Sequence, residues 1–284
     1  MKFKTNIKSF GKIFTLIFKN IFLNYRTYFY TFLLSAAVFS ISFVVWFRNA
    51  NQVIMPPFII AIVTSCTFFS SAYIGIVVVD WKKRNYLTKL QMGSINKINL
   101  LISLFLINLF ISFICILINI ALYNIFNAVN LVTINHKVLK NLDGLIWFLY
   151  STFTILLILF LTIVNLLLTS ISKKVPLSIF FILLFLILSV GLSDAIVQPS
   201  VTSESKALII LGYFSPAKYF VWFIMLLTSY TLFDVYGITQ IIPDYFYGQT
   251  SPFINIFQTL LPALAFLIVV AVVYKWVFKW GYKI

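Results

Sequence analysis

The chain has 284 residues, of which 62% are hydrophobic and 10% charged, with a mean hydropathy of +1.05. That leaves no room for a soluble domain of ordinary size, so an independent enzyme domain is excluded and a single membrane unit over residues 1–284 is expected. A net charge of +15 and a pI near 9.8 would suit nucleic acid, but the basic residues border apolar segments instead of gathering on a soluble fold. Anionic lipid headgroups are therefore the expected partner, at about 1 kcal/mol per basic residue near the surface, and nucleic acid is not.

The leader, residues 1–24, carries Phe3, Ile7, Phe10, Phe14, Ile17, Phe18 and Ile21 at helical spacing, with Lys4, Lys8, Lys12, Thr15 and Lys19 on the other side. The pattern predicts an amphipathic interfacial helix. It serves either as an anchor that sets topology or as an elbow to a cytosolic partner. Its length and the full-length apolar run that follows favour an uncleaved first span over a signal peptide.

Six segments without a charged side chain read as spans: Tyr28 to Phe47, Phe58 to Val79, Asn99 to Phe126, Leu145 to Ile171, Val175 to Ser193 and Ile254 to Val273. A helix of about 20 residues rises about 30 Å, enough to cross the hydrocarbon core. The apolar runs are continuous, not alternating, which argues against strands, so an all-α polytopic fold is expected. Ala36 with Ser40, and Ser71 with Gly75, place small residues four apart, where helices can approach closely. Cys66 and Cys115 lie inside spans and read as packing residues.

Of the 21 basic residues, sixteen fall before the first span, after the second, after the fourth and after the sixth. The remaining five, Arg48, Lys137, Lys140, Lys206 and Lys218, are balanced by Asp143, Asp194, Glu204, Asp234 and Asp244. Positive-inside reasoning then places both termini in the cytoplasm. Asp80 is the one acid on the basic face, and Asp80 and Asp194, at span ends, are expected to snorkel or meet headgroups.

The second basic gap, residues 80–97, has Leu87 and Leu90 three apart and Gly93 as a stop, which fits a short surface helix or a plain basic tether. Residues 199–251 form the longest gap. Its apolar runs, Ala207 to Phe214 and Tyr219 to Thr228, are too short to cross, so they suit a re-entrant or outer helical hairpin, although two extra spans would also keep the termini together.

No ionisable group is expected at membrane depth, which lowers proton relays, voltage sensing and ion-coupled carriage. His136 reads as a solvated loop histidine, no metal site is expected, and no catalytic constellation or G-x-x-x-x-G-K-[ST] occurs. The chain is expected not to be an enzyme.

With six spans, an amphipathic leader, a basic helix after the second span and a long apolar outer gap before the last, the chain resembles the permease subunits of ATP-binding-cassette type 2 transporters. Asp80, Leu87, Leu90 and Lys97 fall where the family carries its acidic residue, spaced leucines and basic residue, and Tyr213-Phe214-Ser215-Pro216-Ala217-Lys218-Tyr219 is similar to its Ser-Pro-x-x-Tyr element. Asn85-Tyr86 stands where Gly-Thr is usual, and Ser94 where proline is common. The resemblance implies a multi-pass exporter subunit of the cell membrane, expected to be a bacterial plasma membrane. It implies a cytosolic ABC ATPase that uses ATP and Mg, and a second permease, alike or different. Residues 81–96 would form the coupling helix, with Asp80 beside it and Trp81, Arg84, Leu87, Lys89 and Leu90 as contact residues. The uncharged pathway favours an amphipathic or lipid-like cargo, whose contact residues are not identifiable. A non-transporting scaffold or regulator is the alternative, and a membrane-embedded lipid enzyme a third class.

Overall fold

The computed structural model describes residues 2–47, 56–92, 95–129, 143–229, 238–239, 241–242 and 250–281. Arg48, Gly93, Ser94, His136, Lys137, Lys140, Asp234 and Asp244 lie outside the described residues.

Every long apolar run becomes a helix, because continuous hydrophobicity with no internal charge leaves the backbone to satisfy its own hydrogen bonds. Among the described residues, six helices are long and apolar enough to cross a bilayer: Tyr25–Trp46, Pro57–Lys83, Lys97–Ala128, Gly144–Ile171, Val175–Leu192 and Ile256–Val277. They are called the first to sixth spans below. Their bounds lie within four residues of those read from hydropathy, and charged residues such as Arg26, Asp80, Lys82, Lys97 and Lys275 are among those added where a helix continues past the apolar core. The leading helix runs Lys2–Phe22. Ile17 and Ile21 are buried, and the rings of Phe18 and Phe22 sit 6.0 and 5.8 Å from Phe110 of the third span. The apolar side of this helix is thus covered in part by the bundle itself.

The second span is the hub. In its most apolar stretch 94% of residues are buried, against 17% in the fifth and sixth spans. What lets it sit centrally is a small and hydroxylated surface. Gly75 faces Asn165 of the fourth span and Ile182 of the fifth so closely that an added Cβ would meet them at 3.1 and 3.2 Å. Polar side chains then tie the hub sideways. Ser70 and Ser112 share a hydrogen bond of 2.6 Å, Asn108 Nδ2 donates to Ser71 Oγ and Thr162 Oγ1 at 2.8 Å each, and Thr64 and Tyr150 pair at 3.0 Å. Each bond in such a seam contributes about 0.6 kcal/mol on average, but together they fix which faces meet. Cys66 and Cys115 are both buried.

Between the fifth and sixth spans, Lys206–Tyr213 and Pro216–Thr228 form a helix pair bent by 106°. The second arm is buried along its length. Its Phe220 stacks on Phe160 of the fourth span at 5.1 Å and its Phe223 on Phe153 at 3.6 Å. Numbering rises on the arm as it falls on the span, so the two run antiparallel. Ser-Pro at the bend is the reason for it, since Pro216 opens a new helix and has no amide hydrogen with which to continue the first.

Candidate functional site

The gap after the second span contains a short helix, Tyr86–Met92. The second span runs on as helix to Lys83 and ends with the Arg84 amide donating to the Asp80 carbonyl and the Asn85 amide to that of Lys82. Asn85 has a φ of 54°, the left-handed conformation for which glycine is the default and asparagine the next most tolerant residue. That accounts for asparagine at the position where the resembled family carries glycine.

The turn decides which side chains face inward. Trp81 and Leu87 are buried in the chain's own core, at 5% and 0% exposure, and the Trp81 ring meets that of Tyr86 at 5.5 Å. Burial holds the Tyr86 phenol above its ordinary range, so it stays neutral beside that ring. Arg84, Lys89, Gln91 and Met92 are exposed, while Asp80 and Leu90 are half-buried. Of the six residues read from sequence as contacts for a partner, two therefore pack inward as supports, and four line the surface. Leu87 and Leu90 differ because a spacing of three on a helix spreads them by about 60° in projection, and the bundle covers only one of the two directions.

Lys82, which nothing in the basic run distinguishes from its neighbours, also ties the segment to the bundle. Its side chain is 2% exposed. Nζ donates to the Thr169 carbonyl at 3.0 Å, to Thr169 Oγ1 at 2.8 Å and to Ser170 Oγ at 2.8 Å, and lies 4.8 Å from the centre of the Phe278 ring. Thr169 and Ser170 belong to the last turn of the fourth span, where carbonyls lack helical partners and the helix dipole is negative. The lysine is thus held at a helix terminus. The Lys279 amide also donates to Ser170 Oγ at 3.2 Å, and Tyr274 Oη donates to the Lys97 carbonyl at 3.1 Å. The ends of the second, third, fourth and sixth spans are thereby joined at the basic end of the bundle.

The opposite end holds a second buried lysine. Lys218, in the second arm of the bent pair, makes a 2.9 Å ion pair with Asp194 just beyond the fifth span, the two side chains being 1% and 0% exposed. Trp222 Nε1 donates to the same Asp194 Oδ2 at 2.6 Å. The expectation that Asp194 snorkels or meets headgroups is overturned: the carboxylate points inward because Asp194 takes a φ of 61°, which reverses the chain after the span. Nothing in the sequence spacing of residues 194, 218 and 222 marks them as one site, since the arm must first fold back to bring them together.

No protein-family model, curated protein or solved structure matches the chain.

Proposed function

We propose that this chain is the membrane-spanning permease subunit of an ATP-driven exporter, with both termini and residues 80–97 on the cytoplasmic side of a cell membrane. A separate cytosolic ATPase subunit binds and hydrolyses ATP, and a second permease, alike or different, completes the pathway. The bent pair is a re-entrant hairpin on the outer side. The observation that carries the reading is the joint between the Tyr86–Met92 helix and the second span. A lever must expose one surface to its driver and be rigidly fixed to what it moves. Arg84, Lys89 and Met92 supply the exposed surface, while Trp81, Leu87 and Lys82 fix it to the bundle. A push there reaches the most buried helix of the molecule directly. The cations Arg84 and Lys89 suit acidic rims of a partner groove, with Leu90 and Met92 as its apolar contacts.

The wall facing the bundle interior is uncharged between its two ends, which favours an amphipathic or lipid-like cargo over a small ion. The decisive experiment is co-purification of the ATPase with chains carrying Arg84→Glu and Lys89→Glu together. Loss of the ATPase with unchanged membrane insertion is the expected result, and unchanged recovery of the ATPase would refute the assignment. Leu87→Asp is unsuitable for this purpose, because Leu87 is part of the core.

A further inference from the structure

A lateral groove of about 700 Å³ opens between the first, second and fifth spans at the basic end of the bundle. Each helix contributes residues about a turn apart, and the charged side chains lie at that end. On the second span the order is Asp80, then Ile76 and Tyr73; on the first it is Arg26, then Phe29 and Tyr30; on the fifth, Ile179 and Leu183 are apolar throughout. A groove that is charged at the bundle end and apolar farther in matches the polarity of one lipid molecule lying along the protein.

Its walls are built, not incidental. The Tyr73 hydroxyl pairs with Thr27 Oγ1 at 2.9 Å, and the Tyr73 ring stacks on Tyr30 at 6.0 Å. The first span is wound as a π-helix over Tyr28–Leu33, a feature that is rare in helices and concentrated at functional sites. Here it accompanies the exposure of Phe29 and Tyr30 toward the groove.

The mouth carries one cation and one anion, Arg26 and Asp80. The Arg26 guanidinium lies 6.0 Å from the centre of the Tyr25 ring, and among the described residues it closes no ion pair with Asp80. Asp80 also lines a smaller cavity of about 210 Å³ with Arg84 and Lys89, which are exposed as Arg26 is. An anionic headgroup would satisfy Arg26 and leave Asp80 facing a second negative charge. A phosphate with a primary ammonium beside it satisfies both, and the ammonium has hydrogens to donate to the carboxylate.

We infer that this groove binds a zwitterionic phospholipid with a primary ammonium, of the phosphatidylethanolamine type, phosphate on Arg26, ammonium on Asp80 and an acyl chain against Ile76, Ile179 and Leu183. The site goes beyond the export reading and does not depend on it: it requires neither nucleotide nor a partner subunit.

The test is native mass spectrometry of the full chain in detergent, titrated separately with dioleoyl phosphatidylethanolamine, phosphatidylglycerol and phosphatidylcholine. Phosphatidylethanolamine is expected to bind about tenfold more tightly than either of the others, the size of one charged hydrogen bond. Asp80→Asn removes that preference by bringing phosphatidylethanolamine down to the phosphatidylcholine level, and Arg26→Gln weakens all three. Phosphatidylglycerol binding as tightly as phosphatidylethanolamine to the unmodified chain would overturn the assignment in favour of an anionic headgroup site. Equal binding of phosphatidylcholine would overturn the role of Asp80, and so would an unchanged preference in the Asp80→Asn chain. The comparison of lipids on the unmodified chain needs no variant to fold.

Discussion

The two ends of the bundle each bury a lysine, and they do so by different means. At the basic end Lys82 is held by a carbonyl and two hydroxyls at the C-terminus of the fourth span, with an aromatic ring beside it. At the other end Lys218 is held by a carboxylate that an indole also holds. The difference follows from what the neighbourhood offers. A helix C-terminus supplies partial negative charge wherever it ends, which favours a lysine placed beside it. At the hairpin Lys218 Nζ also lies beside Gly212, in the last turn of the first arm, and there the Asp194 carboxylate adds a full counter-charge that offsets its desolvation. The basic end is therefore a joint in which a helix terminus takes part, and the opposite end is a latch whose two halves depend on each other.

That dependence makes Asp194→Ala the most damaging of the simple substitutions. It leaves Lys218 buried without its partner and is expected to cost about 3–5 kcal/mol in denaturation of the purified chain in mixed micelles. The double variant Asp194→Ala with Lys218→Met recovers most of that loss, because no charge then remains to be desolvated; a double variant no better than the single one would show that the pair is not acting as a latch.

A milder way to spring the latch is Gly212→Ala. An added Cβ would sit 2.5 Å from Lys218 Nζ and 2.9 Å from its Cδ. The lysine must move, and its tip is tethered to Asp194, so a loss of about 1–3 kcal/mol is expected in the same assay. If the cost of Gly212→Ala persists unchanged in the Lys218→Met background, the clash lies elsewhere.

The smallest effect is predicted at the joint. Lys82→Met keeps the stem and its packing, removes the charge, and leaves hydroxyls that can turn back to their own helix, so stability is expected to change by no more than about 1 kcal/mol. Lys218→Met alone, which strands Asp194, costs several times more. Equal costs for Lys82→Met and Lys218→Met would erase the distinction between the two ends. The lipid titration and the ATPase co-purification sharpen it from the other side, since both read surfaces that the joint positions.

Much of the architecture was legible because it rests on local chemistry. Six continuous apolar runs became six long helices, the Ser-Pro dipeptide became the bend between two short ones, and Tyr86 to Met92 became a short helix. The small pair Ser71 and Gly75 lies on the face where the hub meets its neighbours, through Asn108, Asn165 and Ile182. The candidate site was legible only in part. Asp80, Arg84, Lys89 and Leu90 line the surface, while Trp81 and Leu87 turn inward. Lys82 looked like one more cation in a basic run, and its burial depends on where the fourth span stops.

What the sequence determined by itself was the set of helices, their length and the concentration of basic charge at one end, because hydropathy and charge act residue by residue along the chain. Which lysine is solvated and which is buried, and which acid finds a partner, was decided only in three dimensions. Residues 82 and 169, or 194 and 218, meet only after whole helices pack, and the free energy of a charge is set by what then surrounds it.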